Sequence, residues 1–306
     1  MTLRTLLPLS LAAACSFAPP PAFARPPLPL PATAKAAAVA LPSLAALAQP
    51  TPGRWSGELV DGGEVVRFQL LQADPARPGR RRVLLVPILA GGDELMAQVA
   101  RRLGARGFDV AFCERAGSAL QPPQRGEEIE QLFHRTVLHQ RLLLRWLAAR
   151  TPAPAATFVL GISMGGIVST VLAALEPSLD GVAVCLSGGD LGDLVLHSSE
   201  GRVQRWRRWR RRHDGIGDDQ LRREFAAQPY EPLAFAPAVP TAKVLFVSAE
   251  FDTVVPRRNQ DLLWEALGRP ARYQVPFGHY TAALAIDTIL AAAADHFDRR
   301  RPDLVP

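Results

Sequence analysis

Along the chain, apolar residues gather in short continuous runs separated by longer amphipathic segments, the rhythm of strands buried on both faces alternating with helices. Residues 83–86, 108–113, 157–160, 182–186, 244–247 and 272–275 form such runs. Helical patterns lie between most of them: residues 94–103, residues 127–149 with Ile129, Leu132, Phe133, Val137 and Leu144 on one face, and residues 167–175. This alternation predicts an α/β fold with a mostly parallel central sheet and helices on both faces. Ahead of the first buried run, two β-rich runs within residues 53–73 flank Asp61-Gly62-Gly63. Those glycines supply the positive φ of a tight turn, so an N-terminal antiparallel hairpin is expected.

Two regions break the rhythm. Residues 190–231 are polar, rich in arginine and far longer than the usual connection between a strand and the next helix, which predicts an inserted helical lid. The ligand crevice of an open α/β sheet lies beyond the C-terminal ends of its strands, so this lid is expected over the site. At the other extreme, residues 1–24 have the form of a secretory signal peptide, with Arg4 before an apolar run over residues 6–14 too short to span a bilayer. Ala22-Phe23-Ala24 offers a small-x-small cleavage site, while Leu11-Ala12-Ala13-Ala14-Cys15 loosely resembles a bacterial lipobox that would lipidate Cys15. An exported protein is expected, periplasmic, extracellular or lipid-anchored, with a possible membrane-surface association. Residues 25–52, mostly proline and alanine, read as an extended tether, residues 53–298 as the folded domain and residues 299–306 as a tail.

Composition narrows the picture. The 306 residues are 48% hydrophobic and 21% charged, which excludes a disordered polyelectrolyte and suffices for a large core. With 3 cysteines, a disulfide framework would be thin and a cysteine-rich zinc module is excluded. Cys113 and Cys185 fall inside predicted strands and read as inert core thiols. The net charge of +6 is carried by arginine, lysine occurring only at Lys35 and Lys243, and does not read as a nucleic-acid footprint. No cofactor is expected: neither Gly62-Gly63 nor Gly91-Gly92 has dinucleotide or phosphate-loop spacing, and no cluster has metal-ligand spacing.

The chemistry concentrates at Gly161-Ile162-Ser163-Met164-Gly165-Gly166, directly after one predicted strand and directly before a helix. A serine hydroxyl is a poor nucleophile unless it is lifted clear of the backbone beside a base, and a sharp strand-to-helix turn does this when its flanking residues are small. Gly161 and Gly165 meet that need. The same turn puts the Met164 N–H at a helix N-terminus, where it can stabilise an oxyanion.

On this motif and its setting the chain resembles the α/β-hydrolase superfamily over roughly residues 55–298. The resemblance implies an acid after a later strand and a histidine after the last one. Asp252, in the turn before Val255-Pro256, matches the acid, with Glu250 as a rival and Asp190 as a third possibility. His279, preceded by Pro276-Phe277-Gly278, matches the base. His134, His139, His197, His213 and His296 lie in predicted helices or the lid and read as surface or packing residues. The second oxyanion donor should follow residues 83–86, where many relatives carry His-Gly; here the sequence is Pro87-Ile88-Leu89-Ala90, leaving Leu89, preferred, or Ala90.

One motif stands apart, Arg205-Trp206-Arg207-Arg208-Trp209-Arg210-Arg211-Arg212-His213, with Trp206 and Trp209 on one helical face. It reads as a lid helix burying its tryptophans and solvating its arginines, with contact to an anionic lipid surface as the other reading. As a substrate element, the two tryptophans would line or support the pocket. The implied activity is a serine hydrolase acting on a small-molecule carboxylic ester through Ser163, His279 and Asp252. A serine peptidase or acyltransferase of the same fold, and a non-catalytic protein using the Trp/Arg lid to bind lipid or a partner, are the alternatives.

Overall fold

A computed structural model of the chain describes residues 39–73, 81–89, 93–150, 154–301 and 303. The expected signal peptide, Cys15 and the first part of the expected tether lie outside these residues. Among the described residues, nine strands form one sheet in the order β1-β2-β3-β5-β4-β6-β7-β8-β9: β1 (Ser43–Thr51), β2 (Arg54–Asp61), β3 (Glu64–Leu71), β4 (Arg81–Val86), β5 (Asp109–Cys113), β6 (Ala156–Ile162), β7 (Gly181–Cys185), β8 (Val244–Ala249) and β9 (Ala271–Val275). From β5 to β9 every neighbouring pair is parallel, and β1, β2 and β3 continue the sheet antiparallel.

The hairpin turn between β2 and β3 falls at Gly62 and Gly63, with φ of 54° and 90°. Ahead of it the structure corrects the expected boundary at residue 53. Residues 43–51, read as tether, form the edge strand β1, paired to β2 from Ser43 against Val60 to Thr51 against Arg54. Its side chains are all exposed, so its hydrophobic pattern carries no burial signal, and Pro50 is tolerated because an edge strand leaves one side of its backbone unpaired.

The helices split between the two faces. α1 (Asp93–Gly104) and α9 (Ile286–Arg300) cover one face through Val99, Leu103, Ile289, Leu290 and Phe297. The other face is covered by α2 (Gly126–Ala148), α3 (Met164–Leu175) and α8 (Arg257–Ala266), through Leu142, Trp146, Val168, Val171 and Leu263. The last helix runs past the expected domain end at residue 298 and is preceded by a short 3-10 turn over Thr281–Ala285.

After β7 the chain leaves the sheet as α4 (Leu191–His197), α5 (Gly201–His213) and α6 (Asp218–Ala226), then returns through the short α7 (Pro232–Phe235). These helices are the expected lid. They have a core of their own, built from Leu191, Val195, Val203, Trp206, Leu221 and Phe225, which joins Leu120, Ile129 and Ile167 of the main body. Among the described residues, no helix is long and apolar enough to cross a membrane.

Candidate active site

Ser163 sits between the last residue of β6 and the first of α3 with φ 58° and ψ −122°, a strained conformation for a residue with a side chain. Its N–H donates to the Cys185 carbonyl of β7 at 2.8 Å, and its own carbonyl accepts from Gly166 and Ile167 as α3 begins. The flanking glycines are dictated by contact. A Cβ on Gly161 would lie 2.1 Å from the Gly165 carbonyl oxygen, and one on Gly165 would lie 2.7 Å from that of Val86. At Gly166, too, a Cβ would lie 2.6 Å from that of Ser187. The turn can approach β4 and β7 this closely only with hydrogen at all three positions.

His279 follows β9 in a turn held by the Gly278 N–H on Thr281 Oγ1 at 2.9 Å. Its Nε2 lies 3.0 Å from Ser163 Oγ and its Nδ1 2.7 Å from Asp252 Oδ2. A carboxylate only accepts, so Nδ1 carries the proton and Nε2 faces the hydroxyl as an acceptor. The other Asp252 oxygen accepts the Val254 and Val255 N–H groups at 2.9 and 2.8 Å. The Asp252 side chain is fully buried and that of His279 nearly so. The rival acids do not reach the imidazole. Glu250 is exposed on the far side of the turn, and Asp190, in a left-handed conformation, caps α4 by accepting the Asp193 N–H at 3.0 Å.

Met164 opens α3, and the leading amides of a helix have no intrahelical acceptor, so its N–H is free to face a ligand. Leu89 is half-buried beside Ser163, and its carbonyl accepts from the Arg115 guanidinium at 3.0 Å, which anchors the loop after β4. Ala90, the other candidate donor, lies outside the described residues.

Two cavities meet at the serine, with Leu89, Ser163, Glu200 and Val254 in both walls. One runs under the lid between Met164, Ile167, Leu194, Val195, Val203 and Phe225. The other opens between α1 and the segment after β9, and His279 lines it. Cys185 also lines the second cavity, but burial pushes its thiol up to about 12, so it stays protonated and inert; Cys113, fully buried, is raised in the same direction.

Neither tryptophan of the basic run lines either of these cavities, which corrects the expectation that both would line the pocket; Trp206 backs the lid cavity from behind, through Phe225, and Trp209 does not reach it. Trp206 is fully buried in the lid core, where its indole N–H donates to the Gln124 carbonyl at 2.8 Å and its ring meets Phe225 edge-on. Trp209 lies half-buried on the outside of α5, stacked on His213 and covered by Arg125. Nor is every arginine solvated. Arg210 is buried and bonds Asp214 at 2.6 Å and both Glu224 oxygens at 3.0 and 3.1 Å, and Arg211 pairs with Asp218. Part of the lid's charge is thus spent inside the lid, while Arg205, Arg208 and Arg212 are exposed. The residues that do border Ser163 from this side, Leu194, Val195 and Glu200, carried no sequence signal beyond lying in the insertion.

No family model and no curated protein matches the chain. Solved structures do. A cold-adapted esterase from an Arctic intertidal metagenomic library is similar at 17% identity and a TM-score of 0.56, over 84% of this chain and 99% of that one. Acetyl xylan esterase 1 from Thermoanaerobacterium sp. is similar at 17% identity and 0.56, over 82% and 87%. The α/β hydrolase GrgF from Penicillium sp. is similar at 14% identity and 0.58, over 81% and 98%.

Proposed function

We propose that this chain, whose fold is that of the α/β-hydrolases, is a serine hydrolase that cleaves a carboxylic ester through an acyl-enzyme on Ser163. The observation that carries the reading is the continuous hydrogen-bonded series Ser163–His279–Asp252, assembled from the ends of three different strands. In this reading His279 Nε2 takes the hydroxyl proton as Ser163 Oγ bonds to the acyl carbon. Asp252 holds the imidazole in the required tautomer and stabilises the imidazolium that forms. Its own second oxygen is tied to two backbone amides, so it stays in place throughout. Charge developing on the carbonyl oxygen meets the Met164 N–H, with Leu89 as the second donor. The imidazolium then gives its proton to the departing alkoxide, and water repeats the sequence to release the acid. Met164 borders the lid cavity alone and His279 the second cavity alone. The acyl part therefore lies under the lid, and the alcohol, which must receive the His279 proton, lies in the second cavity. The structural relatives named as esterases support this class of reaction at the level of fold.

A fluorophosphonate probe tests it. Covalent labelling and ester hydrolysis by the wild-type protein, both abolished in Ser163→Ala, are the expected results. A folded wild-type protein that takes no label at any pH would overturn the reading.

A further inference from the structure

The two cavities are lined mainly by apolar side chains, and at their junction a carboxylate stands without a cation. Glu200, the residue before α5, lines both cavities. One of its oxygens accepts the Arg202 N–H at 3.3 Å and the other accepts the Tyr280 hydroxyl. Among the described residues no arginine, lysine or histidine forms an ion pair with it, although arginine is abundant in the same helix. A partly desolvated carboxylate costs free energy unless a complementary charge meets it. Tyr280 adds a second feature. It is well exposed, lines the second cavity beside His279, and packs edge-on against that imidazole with ring centroids 5.5 Å apart. The one arginine in that cavity wall, Arg102, is held by Asp287 at 2.8 Å and is compensated there.

We infer that Glu200 and the Tyr280 ring together read a positive charge on the alcohol part of the substrate, so that the preferred ester carries a quaternary or protonated amine on its leaving group. A carboxylate at the hydroxyl end of an exposed aromatic ring is a complementary setting for an alkylammonium, attracted by the charge of one and the quadrupole of the other. The side of the site follows from Tyr280, which borders only the cavity assigned to the leaving group. This specificity rests on the proposed ester hydrolysis for its kinetic form, but its binding component does not.

The test uses two isosteric substrates, choline butyrate and 3,3-dimethylbutyl butyrate, which differ in the charge of one central atom. Wild-type kcat/KM is expected to favour the choline ester by about tenfold, equivalent to about 1.4 kcal/mol. In Glu200→Gln, which keeps an acceptor for the helix cap, the ratio is expected to fall to near one, and in the wild type rising salt should lower it. Binding of the same two esters to Ser163→Ala, measured by calorimetry, separates recognition from chemistry. A tighter Kd for the choline ester with Glu200 present, lost with Glu200→Gln or weakened in Tyr280→Leu, supports the inference even if turnover fails. Equal affinity of Ser163→Ala for the two isosteres, or an undiminished preference in Glu200→Gln, overturns it and leaves Glu200 as a helix cap. Failure of fluorophosphonate labelling would instead strike the hydrolase reading alone.

Discussion

Asp252 is distinguished from the other carboxylates near the site by what each of its oxygens meets. One is saturated by two backbone amides, which fixes the carboxylate and leaves the other to face the imidazole. Asp252→Asn would preserve the packing but present an amide to His279, favouring the wrong tautomer; turnover of a soluble ester is expected to fall roughly ten-thousandfold. Glu250→Gln should cost little, because that side chain points into solvent. Asp190→Ala should cost about 1 kcal/mol in urea unfolding through loss of the α4 cap, with turnover retained. A larger loss of turnover at either rival than at Asp252 would reassign the acid.

At the scale of elements, α5 shows two tryptophans three residues apart with opposite fates. Trp206 is the largest side chain in the lid core, while Trp209 rests on the outer surface between His213 and Arg125. Trp206→Ala is expected to destabilise the protein by about 3–5 kcal/mol in denaturant unfolding, and Trp209→Ala by much less. Val195, inside the lid cavity, should instead govern the acyl group. Val195→Phe is expected to shift kcat/KM toward short acyl esters by about tenfold across a chain-length series, whereas Trp209→Ala leaves that series unaltered. An unmoved preference in Val195→Phe would mean that the acyl group lies elsewhere.

The whole molecule is held by two apolar layers, one on each face of the sheet, and the last helix closes the second of them through Phe297, stacked on Phe158 of β6. Next to it, His296 is buried with Nε2–H donating to the Lys243 carbonyl. Burial lowers its pKa to about 4, so the folded protein holds it neutral where the unfolded chain, titrating near 6.5, would protonate it. The unfolded state therefore binds the extra proton, and this contribution to stability is complete above about pH 6.5 and lost as pH falls toward 4. On the order of 3 kcal/mol is expected to go in that window, seen as a falling urea midpoint. His296→Gln should flatten that fall; an equally steep fall in the variant would place its origin in other groups.

The strand rhythm, the glycines of the Gly-x-Ser-x-Gly turn and the hairpin were readable from the chain because each rests on local chemistry, whereas the order serine, acid, histidine came only from the resemblance to the α/β-hydrolases. A buried parallel strand needs a continuous apolar run, a nucleophile turn needs hydrogen where Cβ would strike Val86 or Ser169, and the hairpin needs glycine at positive φ. The edge strand β1 was not readable, because a strand with every side chain exposed has no hydrophobic period to betray it. Tertiary structure also decided which carboxylate meets His279, since Asp252 and Glu250 are two residues apart and only the path of the turn points one inward. It decided the fates of Trp206 and Trp209 through what packs against each face of α5. It alone brought Glu200 of the lid to Tyr280, because two residues 80 positions apart with no shared pattern become neighbours only when the insertion folds back over the strand ends.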